Sequence, residues 1–449
     1  MAYTTIDDPS AHFQTEIYAG SGSDDKVVTN SGNSDLQPDW IWIKKRSATG
    51  QHVLSDTNRG ILKVLNSNSD AAEDSNSEGE MVKSVQSDGF TLGDSQAGQG
   101  DTNYTSGGTY VAWQWKANGG TTSTNTGNSN LQPDWIWTTS RSNGYNNGMF
   151  DSSRGANKEL TSNTNNAEAT LTTGVSAFNS NGFSFSGAAY NTNGYTFVGW
   201  QWKANGGTTS SNSDGDITAT VQANTTAGFS IVTYTGNGNG SDQTVGHGLG
   251  AECKLVFQKM RTDAGQSWRV FHESVSQSGG GNLFLNSNGS LDTGDPARIK
   301  STNTSTFTLL AYTSPYNGVN ASGKEYVAYC FAEKKGYSKI GSFTGNGNAD
   351  GAFVYTGFKP AWLMIKRTDS ANHFLLFDIK RDISNVGEKW LRADTTDAES
   401  TGIYWDGLSN GFKARTNDPI INASGGTYIY MAFAEHPFVS SKGVPVTAR

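Results

Sequence analysis

Apolar and polar positions alternate one by one in short runs along most of the chain, and turns rich in Gly, Asn, Ser and Thr separate the runs. Period-two alternation over so few residues predicts half-buried strands, not helices. One run recurs. Trp40-Ile41-Trp42-Ile43, introduced by Leu36-Gln37-Pro38-Asp39, returns as Trp135-Ile136-Trp137 behind Leu131-Gln132-Pro133-Asp134. It returns in looser form as Pro360-Ala361-Trp362-Leu363-Met364-Ile365. A proline ahead of aromatic and β-branched residues suits the start of a strand, where no ladder donor is yet needed. A second landmark, Val111-Ala112-Trp113-Gln114-Trp115, recurs as Val198-Gly199-Trp200-Gln201-Trp202, Val327-Ala328-Tyr329-Cys330-Phe331 and Ile429-Tyr430-Met431-Ala432-Phe433. Its alternate residues share one face, which reads as core. A third, Asp88-Gly89-Phe90, recurs as Asn181-Gly182-Phe183 and Asn410-Gly411-Phe412 and predicts tight turns entering strands.

These landmarks divide the chain into four repeats, residues 1–120, 121–207, 208–336 and 337–449. The first repeat begins with an N-terminal segment expected to serve for attachment, and the second is the shortest, with no good copy of the opening strand seen at Ile17-Tyr18, Val232-Thr233-Tyr234 and Ser342-Phe343. Many short strands, frequent turns and no helical period predict an all-β protein of tandem β-sandwich or jelly-roll-like modules. Residues 121–130 and 208–216 read as connectors, and residues 66–74 and their equivalents could hold a short helix or turn. The repeats could instead pair, one completing the sheet of the next, and the missing first strand of repeat 2 favours this for repeats 1 and 2.

Composition narrows the function. The 449 residues include 54 Gly and only 9 Pro, with a net charge of −8, so there is no basic footprint for nucleic acid and no polybasic patch for a membrane. Two cysteines, Cys253 and Cys330, make no disulfide framework. The opening Met1-Ala2-Tyr3-Thr4-Thr5-Ile6 has neither a basic nor an apolar signal region, so the expectation is a product made in the cytoplasm. No apolar run approaches a membrane span, so no membrane insertion is expected.

Candidate chemistry is sparse. Trp40, Trp42, Trp135, Trp137 and Trp362 are candidates for glycan stacking or for contact between subunits, and packing inside the protein is the weightier reading for such stripes. On the strand that carries them, Ile41 and Ile43 face the core. Ile136, Leu255 with Phe257, and Leu363 with Ile365 read as their counterparts, which leaves Lys254 and Val256 on the tryptophan side of repeat 3. Asp56-Thr57-Asn58-Arg59-Gly60 and Asp151-Ser152-Ser153-Arg154-Gly155 repeat a D-x-x-R-G turn, with Asp378-Ile379-Lys380-Arg381 as a relative. The plain reading is an Asp–Arg pair bridging a turn; an exposed pair of that kind would stabilise by about 0–1 kcal/mol. Six scattered histidines form no metal pair, and no nucleophile elbow has partners. Asp214-Gly215-Asp216 and Asn348-Ala349-Asp350 hold oxygen ligands that could take Ca²⁺, without the spacing of an EF-hand. The expectation is a protein with no cofactor, no metal and no enzymatic activity.

Two longer stretches carry a family resemblance. The opening Ala2-Tyr3-Thr4-Thr5-Ile6-Asp7-Asp8-Pro9-Ser10-Ala11-His12-Phe13 resembles the start of structural proteins of marine tailed phages. The second half does so too, through Ala227-Gly228-Phe229-Ser230-Ile231, Val245-Gly246-His247-Gly248-Leu249, Gly336-Tyr337-Ser338-Lys339 and Ala423-Ser424-Gly425-Gly426-Thr427-Tyr428. These are similar to a repeat module of uncharacterised function in virion proteins of cyanophage- and pelagiphage-like viruses. The resemblance implies a virion structural protein, a tail fibre or tail-associated appendage, that contacts other virion proteins and host surface glycan and assembles as a homo-oligomer, with a trimer as the first expectation. A capsid decoration protein and a glycan depolymerase are the alternatives. The resemblance brings no catalytic residues.

Overall fold

The computed structural model describes residues 8–68, 73–74, 81–94, 102–104, 106–117, 131–277, 280–311, 318–382 and 386–434. Nearly all regular structure is antiparallel strand, as the alternation predicts. The connector at 121–130, residues 69–72 of the helix candidate at 66–74 and the first seven residues of the N-terminal segment lie outside the described residues, and Asn66 ends the strand Val64–Asn66. The short helices that are described, Glu273–Ser276 and Pro419–Asn422, sit elsewhere, each after an N-cap side chain that accepts from the backbone.

The chain forms two compact units, Met1–Thr126 and Gly127–Arg449. The first unit is repeat 1. Its larger sheet runs Phe13–Ala19, Thr109–Trp115, Trp40–Lys45, His52–Asp56, Val64–Asn66, and its smaller sheet runs Lys26–Thr29, Gly89–Leu92, Val82–Gln86. Ile41, Ile43 and Val53 on one face of the large sheet pack with Val28, Phe90 and Leu92 of the small one. Gly89 makes the turn possible. Its φ is +114°, and a Cβ there would lie 2.1 Å from the carbonyl oxygen of Val28.

Repeats 2, 3 and 4 repeat this sandwich in the second unit. Each has its own core between layers, around Ile136 and Phe150, around Val256 and Phe307, and around Leu363 and Phe412. These three cores lie within the one unit Gly127–Arg449, and the core around Ile41 and Phe90 lies within Met1–Thr126. Among the described residues no strand pairs with the outer side of Phe197–Trp202, which is the edge of the five-stranded sheet of repeat 2, whereas Phe229–Thr235 and Ser338–Thr344 cover the equivalent strands of repeats 3 and 4. The stretch read as a connector at 208–216 contains a strand, Ser210–Asn212, which pairs with Ala219–Asn224.

One register differs from the sequence reading. Trp40 pairs with Trp115, and Leu255 pairs with the equivalent Phe331. Leu255 and Phe257 therefore stand on the tryptophan side, and Val256 faces the sandwich core. A one-residue slip in aligning apolar runs inverts every side chain of a strand, and repeat 3 is apolar on both faces here, so its pattern gave no warning.

Candidate functional site

The second face of each large sheet is where the repeats of the C-terminal unit meet. Trp135, Trp137, Trp200 and Trp202 of repeat 2, Leu255, Phe257, Tyr329 and Phe331 of repeat 3, and Trp362, Met364, Met431 and Phe433 of repeat 4 fill one shared core. Equivalent residues meet near its middle. The ring of Phe433 lies 6.0 Å from that of Trp202 and 6.2 Å from that of Phe331, and Trp135 stacks on Tyr329 at 4.5 Å. Each aromatic side chain buries about 150–250 Å², roughly 4–6 kcal/mol of transfer free energy at 25 cal/mol per Å².

Around this core the repeats join head to tail through a recurring set of charged residues. In repeat 2, the Arg154 guanidinium is fully buried. It donates to Asp151, to Glu168 at 2.9 Å, to the Met149 carbonyl and to the Tyr329 hydroxyl of repeat 3. Tyr329 donates in turn to Asp151 at 2.7 Å. Arg261 of repeat 3 grips Glu168 through two hydrogen bonds of 2.8 and 3.0 Å, while the Glu168 amide donates to the Arg261 carbonyl.

Repeats 4 and 2 repeat the arrangement. Arg381 holds Asp378 and Glu399, and Trp200 Nε1 donates to Asp378 at 2.9 Å. Arg141 grips Glu399 at 2.8 and 3.0 Å, and the Glu399 amide donates to the Arg141 carbonyl. Burial raises the carboxyls of Glu168 and Glu399, but their paired arginines outweigh it and hold both below the usual carboxylate range.

The joint between repeats 3 and 4 keeps the backbone and drops the charges. The Leu291 amide donates to the Thr368 carbonyl at 2.8 Å, as the two glutamate amides do at the other joints. His272 and Val275 stand where the other repeats have Asp and Arg, and Met431 replaces the aromatic donor. The His272 ring meets the Tyr430 carbonyl, and burial lowers its pKa to about 4, so it is neutral at pH 7. Three joints in the order 2 to 3, 3 to 4 and 4 to 2 close a ring.

The same set exists in repeat 1. Arg59 holds Asp56 at 2.6 Å and Glu73 at 2.7 Å. Its tryptophan face is open: Trp40, Trp42, Trp113 and Trp115 are half-buried, and Phe13, Ile17 and Leu65 are 39, 62 and 37% exposed. Arg46, at the position of Arg141 and Arg261, is exposed and has no ion pair among the described residues.

Of the tryptophans nominated from sequence, Trp135, Trp137 and Trp362 are therefore buried where repeats meet, and Trp40 and Trp42 lie on the open face. The D-x-x-R turns hold the Asp–Arg pairs expected of them, and in repeats 2 and 4 those pairs are buried where repeats meet. Arg141, Arg261, Glu168 and Glu399 were missed. The signal was available in the spacing, since Arg46, Arg141 and Arg261 sit at one offset from the strand start, and Glu73 and Glu168 at one offset from Asp56 and Asp151. A groove of about 390 Å³ follows the uncovered edge Phe197–Trp202, lined by Trp200, Trp202, Tyr337, Trp362 and Phe433, with Asp378 and Lys380 also in its wall. Among the described residues no group of three or more His, Cys, Asp or Glu could hold a metal. Asp216 is taken up by the amide and hydroxyl of Thr244, and Asp350 pairs with Lys413. Cys253 and Cys330 are buried free thiols.

A family model described as a domain of unknown function, DUF7483, matches residues 8–130 and again 127–437. No curated protein and no solved structure matches the chain.

Proposed function

We propose that this chain, which belongs to the DUF7483 family, is a non-enzymatic structural protein of a tailed-phage virion, a tail fibre or tail-associated appendage that displays β-sandwich modules as a homo-oligomer. The observation that carries the reading is the use made of the buried charges. Asp151, Arg154, Glu168 and Arg261, and likewise Asp378, Arg381, Glu399 and Arg141, are committed to one another across repeat boundaries. Such groups fix geometry; they are not poised to exchange protons with a substrate. A ring of sandwiches locked in this way is a rigid block, suited to holding loops at fixed positions, and repetition around a particle multiplies weak contacts. The sequence resemblance supplies the virion setting. Host glycan contact belongs to the same proposal; the groove along Phe197–Trp202, where Trp200, Trp202 and Trp362 keep 6–8% of their surface exposed beside the exposed Lys380, is the depression it would use.

Two measurements test this. Gold-labelled antibody against the chain should decorate the tail of the phage particle; label on the capsid alone would move the protein to a head-decoration role. Light scattering of bacterial surface polysaccharide incubated with the protein should show binding at constant polysaccharide mass. A fall in that mass would overturn the non-enzymatic reading.

A further inference from the structure

Repeat 1 carries both halves of the joint that closes the C-terminal unit, and among the described residues neither half is engaged. The receiving half is complete and already ordered. Asp56, Arg59 and Glu73 are linked as Asp151, Arg154 and Glu168 are, and the paired backbones of Val64 and Asp74 hold the glutamate strap as those of Glu159 and Ala169 do in repeat 2. The giving half is Arg46, at the place of Arg141 and Arg261, with Trp113 at the place of Trp200 and Tyr329. Between the halves lies the open face of Trp40, Trp42, Trp115 and Phe13. In repeats 2 to 4 the same face is buried by two neighbouring repeats.

The occupant follows from the halves themselves. Within the C-terminal unit every giving side is already seated on a receiving side, so that ring is closed. The surface that repeat 1 offers is complementary to another copy of repeat 1. A head-to-tail joint of this kind makes a ring if its rotation closes, and the three repeats of the second unit show that this joint closes at three. We infer that three copies of the chain form a ring through repeat 1, with Arg46 and Trp113 of one copy seated on Asp56, Arg59 and Glu73 of the next. Each copy would then clasp Glu73 of its neighbour with Arg46 and donate from Trp113 Nε1 to Asp56, and the exposed tryptophan face would become a common core. All three joints would be charged, because each is the same joint. The inference deepens the homo-oligomer part of the proposed function and does not depend on the virion reading, which stands or falls on particle labelling.

The test uses the full chain. Its mass by light scattering should be three times the 47.9 kDa of one chain. Arg46→Glu, at an exposed position, should retain the β-rich circular dichroism and lose the trimer at concentrations where the parent is wholly trimeric. The double variant Arg46→Cys/Glu73→Cys gives a positive readout. The corresponding backbones in the second unit are one hydrogen bond apart, at 2.8–2.9 Å between amide and carbonyl, a spacing that suits a disulfide. Oxidation should yield a covalent trimer on a non-reducing gel and nothing larger, while either single variant should stay unlinked. A monomer or a dimer of the parent chain would overturn the inference. So would a trimer that survives Arg46→Glu and is not captured by the cysteine pair, because it would be built on another surface.

Discussion

Replacing Arg154 by Met tests whether the buried joints hold the C-terminal unit together. Methionine keeps most of the stem volume and removes the charge and all side-chain N–H donors. The change strips Asp151 of its guanidinium partner while that carboxylate remains fully buried, accepting only the Arg154 amide at 2.8 Å and the Tyr329 hydroxyl at 2.7 Å. Glu168 keeps both bonds from Arg261. Removing one member of a buried pair typically costs about 3–5 kcal/mol. The two hydrogen bonds left on Asp151 place the expected loss near the lower end, about 3 kcal/mol. In urea, followed by tryptophan fluorescence on the full chain, an m-value of about 3 kcal/mol per M turns that into a midpoint shift of about 1 M. Asp151→Leu/Arg154→Met should recover part of the loss, because removing both members leaves no orphaned charge; repeat 3 already does without the pair at His272 and Val275. If Arg154→Met shifts the midpoint no further than Lys339→Met, which removes a surface pair 40 and 26% exposed, the joints are not what holds the repeats together.

Three further outcomes are expected. Because the folded-state pKa values of Glu168 and Glu399 lie below the unfolded value, their contribution is fully present above about pH 4.5 and drains away as pH falls through the lowered folded values; Glu168→Gln/Glu399→Gln should be less stable at pH 7 and show a flatter acid limb in thermal melts. His272 is depressed from 6.5 to about 4 by burial, so the folded state resists its protonation; the protein should lose roughly 3 kcal/mol between pH 6.5 and 4 from this group, and His272→Asn should remove that slope in urea titrations across the same range. Gly89→Ala should destabilise well beyond Gly107→Ala in melting experiments, since both positions have positive φ but only at Gly89 would the new Cβ strike a carbonyl, that of Val28; the strain alone is about 1–3 kcal/mol.

The strands and their recurring landmarks were legible because each leaves a local pattern: alternation, a proline before an aromatic run, a glycine after Asx. What covers the second face of a sheet was not legible. Trp40 and Trp135 have the same neighbours in sequence, yet one is half-exposed and the other fully buried. The difference lies in partners from distant repeats, which no local window contains. The charged joint was hidden for a similar reason. Asp151 and Arg154 look like a turn pair until Glu168 and Arg261 are brought to them across the chain. In repeat 3, Leu255 and Val256 are both apolar, so the run cannot tell which face is which, and only the pairing of Leu255 with Phe331 decides it.

The uncharged joint between repeats 3 and 4 has a consequence for inheritance. In a ring spelled out along one polypeptide, each joint has its own codons, so His272, Val275, Leu291, Thr368 and Met431 could depart from the charged pattern together while the other two joints kept it. Repeat 1 has no such freedom if it meets copies of itself. Any substitution there is written into every joint at once. A compensated pair of changes in repeat 1 would alter every such joint alike, whereas in the second unit it alters one.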